Sequence, residues 1–220
     1  MKKSYQYIFW DLDGTIMDTY EGISKGMQYA LAYFGIREED ENVLRTFIGP
    51  PLRQSIPEKY PLNARQTEVA VDKYREFYHD GGMFLCRPYP GVEAVLKNMA
   101  RKDVIQAVTS SKPEVMCRKI LKHFGLEDCF DEIVGASLDG KIDTKEAVLE
   151  EAVRRLKLTD LSRTVLIGDT KYDVQGAKAL GIDCIGVTYG FGTRRELETY
   201  GADVIFDTIE ETERYLNGGE

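Results

Sequence analysis

Asp11-Leu12-Asp13-Gly14-Thr15 puts two carboxylates two residues apart, directly after the apolar run YQYIFW at 5–10. Aspartates at that spacing on a strand-to-turn exit can divide a task. One attacks an electrophile; the other protonates the leaving group and later deprotonates a water. A second acidic pair, Asp169 and Asp173, sits in Gly168-Asp169-Thr170-Lys171-Tyr172-Asp173 after the run TVLIG. Thr109-Ser110-Ser111 follows the run VIQAVT, and Lys145 opens a helical pattern. Carboxylates gathered in one cleft cannot all stay ionised without a cation or raised pKa values. An all-oxygen ligand set favours a hard ion such as Mg²⁺, which also binds substrate phosphate. The chemistry that fits is phosphoryl transfer to a carboxylate. Asp11 attacks, Asp13 handles the protons, Thr109 and nearby backbone N–H groups hold the equatorial oxygens, and Lys145 with the metal offsets the charge.

These residues need strands to carry them to one edge. Short apolar runs recur at 5–10, 104–109, 132–135, 164–168, 184–188 and 203–206, most without polar alternation. Strands buried on both faces read this way, which predicts a parallel sheet covered by helices. Helical patterns lie between them, at 90–102 opening with Pro90 and at 112–125 opening with Pro113 and stopping at Gly125. Thr144 is placed to cap the next helix, Asp169 precedes one running to about Gly181, and Thr208 with Glu211 has capping-box spacing. The alternation predicts a doubly wound α/β domain, whose ligands bind at the carboxyl ends of the strands. From 19 to 86 there is helical periodicity and no convincing strand. One amphipathic helix there carries Ile23, Met27, Ala30, Leu31 and Phe34 on one side, its tyrosines and methionine reading as packing residues. Another spans 64–82 and ends at Gly81–Gly82. The expected division is an α/β core of 1–18 and 87–220 with a small all-helical cap domain of 19–86.

The DxDGT pattern would arise somewhere in a chain of this length roughly once in 500 by chance at average residue usage. GDxxxD, a threonine after a strand and a lone lysine are each weaker; their order and context make the set specific. Together they are similar to the four signature motifs of the haloacid dehalogenase superfamily, across essentially the whole chain. That resemblance implies a Rossmann-like core with a cap between the first and second motifs. It implies Asp11 as nucleophile, Asp13 as general acid/base whose backbone carbonyl also binds the metal, and Thr109 as the phosphate-binding hydroxyl. It implies Lys145 as the charge-balancing lysine, Asp169 as a direct Mg²⁺ ligand, and Asp173 as a ligand acting directly or through water. Gly14, Thr15, Ser110 and, in the cap, Arg53 are candidate substrate contacts. The true dehalogenases lack an aspartate at the position of Asp13, so Asp13 favours phosphoryl transfer. FIGPPLRQSI (47–56) and YGFGTRREL (189–197) resemble the phosphoglycolate phosphatase-like branch, and with EGISKGMQYAL most resemble its 5′-nucleotidase-like members.

The expected activity is therefore hydrolysis of a small phosphorylated metabolite, first a nucleoside 5′-monophosphate, then phosphoglycolate. A sugar-phosphate mutase and a non-catalytic binding or regulatory protein on the same fold are the alternatives. The mutase commonly carries a basic cap residue where this chain has Leu52, with Arg53 next door. Lys141 is the rival to Lys145. GFGTRR at 190–195 lacks the third glycine of a dinucleotide loop. Arg194 and Arg195 are either anion contacts or solvated surface. Trp10 reads as core packing, and His79 and His123 have no partner pattern.

Composition bounds the partners. The 220 residues carry a net charge of -8, which repels nucleic-acid polymers and anionic membranes. It also obliges a phosphate site to supply its own positive charge. Cysteines 86, 117, 129 and 184 show no CxxC spacing and read as reduced thiols. The opening MKKSYQYIFWDLDG is too short in apolar residues for a signal peptide. No run approaches the roughly 20 apolar residues of a membrane span. A cytoplasmic monomer or weak dimer is the expectation.

Overall fold

β1 (Tyr7–Trp10) is an interior strand of its sheet, and three of its four residues, Ile8, Phe9 and Trp10, are at most 1% exposed. Each such side chain taken from water contributes about 1.5–3 kcal/mol. The structure is a computed structural model that describes residues 4–219. Residues 1–3 and 220, at the ends of the segments expected to form the core, lie outside the described residues. Asp18–Arg87 form one compact unit, and the described residues on either side form another. The chain crosses between them through β2 (Met17–Asp18) and β3 (Arg87–Pro88), which pair with each other.

The unit Asp18–Arg87 is helical: α1 (Tyr20–Ala32), α2 (Glu41–Arg45), α3 (Leu52–Lys59), α4 (Ala64–His79) and a 3₁₀ turn at Gly82–Phe84. A capping box between Asn63 and Gln66 starts α4. α1 buries Ile23, Met27, Ala30 and Leu31 as its periodicity predicts. The reading of its tyrosines as packing residues is corrected: Tyr29 is 41% and Tyr33 62% exposed. α1 meets α4 at Gly26, where a Cβ would stand 2.9 Å from the Tyr74 ring. Tyr29 instead turns its hydroxyl outward to donate to Glu76.

The other unit alternates strand and helix: α5 (Val92–Met99), β4 (Ile105–Pro113), α6 (Glu114–His123), β5 (Glu132–Ala136), α7 (Lys145–Arg155), β6 (Thr164–Gly168), α8 (Lys171–Leu180), β7 (Asp183–Val187), α9 (Arg194–Tyr200), β8 (Val204–Phe206) and α10 (Ile209–Leu216). The six long strands form one sheet in the order β5-β4-β1-β6-β7-β8, every neighbouring pair parallel. Burial explains the apolar runs; all five residues of β6 are buried. Phe9, Ala107, Val134 and Leu166 pack one sheet face against Val148 and Leu149 of α7 and Val174 and Ala177 of α8. Trp10 packs in the core, as read from the sequence, and donates its indole N–H to Gln106 Oε1 at 3.1 Å. Gln106 Nε2 donates in turn to the carbonyls of Leu96 and Cys129, so this buried polar group is satisfied.

Two boundaries differ from expectation. β4 continues past Thr109 to Pro113, with a register shift between Ser110 and Pro113, and α6 begins only at Glu114. Proline has no N–H and disfavours helix in the residue before it, so Lys112 stays extended. Thr144 accepts from Ala147 N, and Thr208 with Glu211 forms the expected capping box. Cys117, Cys129 and Cys184 are free thiols. Among the described residues no helix is long and apolar enough to cross a membrane.

Candidate active site

The chain leaves β1, β4 and β6, three adjacent strands, on the same edge of the sheet. Asp11 follows β1, Thr109 is the middle residue of β4, and Asp169 follows β6. The winding reverses beside β1, where open α/β sheets leave a crevice. Lys145, the first residue of α7, and Asp173, in the first turn of α8, come in from one face.

Lys145 Nζ lies 2.7 Å from Asp11 Oδ1 and 2.7 Å from Asp173 Oδ1, and donates to the Thr109 carbonyl at 2.9 Å. Asp173 Oδ1 has this ion pair as its contact and is otherwise without a hydrogen-bond partner. Burial opposes the charge on Lys145, but Asp11 and Asp173 outweigh it and hold the ammonium above its ordinary pKa. Lys141, the sequence rival, is exposed and paired with Asp139 at 2.9 Å.

One oxygen from each of Asp11, Asp169 and Asp173 lies within 4.8 Å of the others, and all three residues are buried. Burial pushes the Asp11 carboxyl up to about 7, against the pull of Lys145 and with the push of Asp173. Burial, then the charges of Asp173 and Asp11, raises Asp169 well above the carboxylate range. Three buried carboxylates with one ammonium, and an oxygen of Asp173 lacking a hydrogen bond, make a site that a hard divalent cation fits.

Asp173 and Asp169 are held from behind. Asp173 Oδ2 accepts from Thr170 N at 3.0 Å and Thr170 Oγ1 at 2.8 Å. The capping position and the cluster position are thus one residue serving both. Asp169 Oδ1 accepts from Thr15 Oγ1 at 3.2 Å, and Asp169 Oδ2 from Phe191 N at 2.7 Å. Gly14 takes φ +86, and a side chain there would strike the Asp169 carboxylate.

Asp13 stands apart from the carboxylate cluster. Its Oδ2 lies 3.1 Å from Lys112 Nζ, and its Oδ1 is buried without a hydrogen-bond partner. Thr109 is buried, with its hydroxyl 3.5 Å from the Trp10 carbonyl. Ser110 Oγ accepts from Lys112 N at 3.2 Å. Arg53 belongs to the helical unit, where its guanidinium forks onto Glu68 at 2.7 and 2.9 Å. Arg194 pairs with Asp207 at 2.7 Å, and Arg195 is exposed.

Sequence reasoning missed Lys112 and the backbone of Tyr189–Gly192. Lys112 reads as a helix-opening lysine until β4 is seen to run through it. The Tyr189–Gly192 stretch carries no charged side chain that would flag it, only two aromatic residues alternating with two glycines.

Comparison with known proteins follows the same outline. The model of the family described as haloacid dehalogenase-like hydrolase matches residues 8–187. A 5′-nucleotidase of Pseudomonas aeruginosa is 37% identical over 196 residues, covering 89% of this chain and 88% of that protein. The tyrosine-protein kinase PtkA of Mycobacterium tuberculosis is 34% identical over 86% of this chain, which spans 64% of that protein. A crystal structure of a predicted phosphatase from Clostridium acetobutylicum superposes with a TM-score of 0.93 at 41% identity, covering 98% of this chain and 100% of that one. A parallel sheet with this acidic crevice at its carboxyl edge, and a family match running from β1 to β7, make the chain a member of the haloacid dehalogenase-like hydrolases.

Proposed function

We propose that the protein is a Mg²⁺-dependent phosphomonoesterase working through a phosphorylated Asp11. The observation that carries this reading is the buried Asp11 carboxylate with Lys145 Nζ at 2.7 Å, in a cluster with Asp169 and Asp173. Mg²⁺ would be held by Asp11, Asp169, Asp173 and the Asp13 carbonyl. Bound there, it supplies positive charge that offsets repulsion between a carboxylate nucleophile and a phosphate dianion.

The remaining work falls to the chain. An Asp11 oxygen attacks phosphorus as the bond to the leaving oxygen breaks, and Asp13 hands that oxygen a proton. Asp13 then takes a proton from water as the water's oxygen attacks the phosphorus, and inorganic phosphate leaves with Asp11 regenerated. Lys145 offsets charge on Asp11 throughout, while Thr109, Ser110 and the Gly14–Thr15 backbone hold the phosphoryl oxygens. We assign the helical unit the role of a cap, with Arg53 as a candidate substrate contact once it leaves Glu68.

A nucleoside 5′-monophosphate is the first candidate substrate, supported by the Pseudomonas aeruginosa relative's name, and phosphoglycolate the second. The engagement of Arg53 with Glu68 speaks against a standing second-phosphate site of the mutase kind. The cellular setting we assign is cytoplasmic, as a monomer or weak dimer.

The test is phosphate release from a panel of nucleoside monophosphates, phosphoglycolate, sugar phosphates and phosphotyrosine, with Mg²⁺ and with EDTA, for wild type and Asp11→Asn. Release by wild type with Mg²⁺ alone supports the reading. Release in EDTA, or by Asp11→Asn at a comparable rate, sinks it.

A further inference from the structure

The Tyr189–Gly192 segment lies after β7, outside the residues assigned to the reaction above, yet it forms a wall behind Asp169. Phe191 N donates to Asp169 Oδ2 at 2.7 Å, and Gly192 N points at the same oxygen from 3.4 Å. Tyr189, largely buried, donates its hydroxyl to the Thr15 carbonyl at 3.0 Å and packs on the Tyr89 ring at 5.0 Å. Thr15 in turn donates to the other Asp169 oxygen. The segment is therefore tied to the Asp11–Thr15 turn at one end and to Asp169 at the other.

The glycines are there for space. Neither Gly190 nor Gly192 has a positive φ, so their backbone conformation suits any residue. A Cβ at Gly190 would come closer than 3.0 Å to the Gly14 carbonyl and to the Asp169 side chain. One at Gly192 would press on the Asp169 carbonyl. Only a bare backbone approaches closely enough for its N–H groups to reach the carboxylate.

We propose that Tyr189–Gly192 is a positioning element for the metal: its backbone fixes the Asp169 carboxylate in a ligating pose. This rests on the Mg²⁺ assignment above. Without these ties the repulsion of Asp11 and Asp173 would turn Asp169 away from the cluster. Partners that orient a ligating carboxylate are worth roughly 10- to 100-fold in metal affinity.

The experiment is calorimetric titration of metal-free protein with Mg²⁺ for wild type, Gly190→Ala and Tyr189→Phe, with thermal unfolding in EDTA and phosphate release against Mg²⁺ concentration alongside. Gly190→Ala is expected to weaken Mg²⁺ binding by at least about 10-fold, and Tyr189→Phe by a smaller factor. In both, kcat should recover at saturating Mg²⁺, so the loss falls on the metal requirement, a split that a general loss of stability does not produce. If Gly190→Ala does not fold, Tyr189→Phe decides, since it removes one hydroxyl and keeps the ring. A folded Gly190→Ala, or Tyr189→Phe where that variant decides, binding Mg²⁺ within twofold of wild type would overturn the proposal. A wild type that binds no Mg²⁺ overturns it together with the metal assignment. A wild type that binds Mg²⁺ but hydrolyses no ester removes the phosphatase reading, and weakened binding in the variants would still support the positioning role.

Discussion

Lys112 Nζ lies 3.1 Å from Asp13 Oδ2, and the two side chains are only 5% and 14% exposed. Breaking a buried pair from one side leaves a charge without compensation, at a cost of about 3–5 kcal/mol. Lys112→Met is therefore expected to lose about 3 kcal/mol of stability by urea unfolding. The double variant Lys112→Met/Asp13→Asn should recover most of it. Equal losses in the single and double variants would mean that the ion pair is not the source.

Asp11→Asn should abolish turnover and leave the fold intact, because the amide fills the same space without a nucleophilic oxygen. Single-turnover phosphate release is the measurement, and appreciable residual rate would move the nucleophile elsewhere. Asp13→Asn should slow turnover by about 100-fold or more. It should still bind Mg²⁺, since the backbone carbonyl is untouched; loss of metal binding in calorimetry would contradict that division of roles.

Lys145→Met separates charge balance from metal binding. Lys145 holds oxygens of both Asp11 and Asp173, so it competes with a cation for them. Its removal is expected to lower kcat by at least about 100-fold, the scale set by one charge-stabilising donor. Mg²⁺ affinity should hold or rise. A fall in affinity equal to the fall in kcat would make Lys145 a support for the metal site instead.

Gln106→Leu tests the core beneath the site. Gln106 accepts from Trp10 Nε1 and donates to two carbonyls. Leucine would orphan all three groups, at about 1–3 kcal/mol each. A loss of several kcal/mol in chemical denaturation is expected, and a loss under 1 kcal/mol would show that the groups find other partners.

The sheet was legible because its strands are apolar on both faces, a pattern few other structures produce. The convergence of Asp11, Asp169, Asp173 and Lys145 followed from placing each just past a strand or at a helix start. Lys112 was not legible. Its reach to Asp13 depends on β4 continuing to Pro113 with a register shift, which a local pattern does not encode. Tyr29 and Tyr33 were misread: helical spacing places both well away from the face of Ile23, Met27, Ala30 and Leu31, and both are exposed. α2 and α3 escaped individual notice because they are short, with 5 and 8 residues, and α3 contains Pro57. The ties from Phe191 and Gly192 to Asp169 are made by backbone N–H groups, which every residue but proline possesses, so no residue type announces them.

The groups of the crevice are gathered from chain positions as far apart as Asp11 and Gly192. On a ribosome adding about 5–20 residues per second, roughly 10–40 s separate their synthesis. For most of that interval β1 has an aspartate at its exit and no β6, and to its end the Tyr189–Gly192 segment is still missing. The nascent chain thus carries the Asp11 carboxylate long before anything exists to orient Asp169 beside it, and the cluster is complete only once β7 and the segment after it have been made.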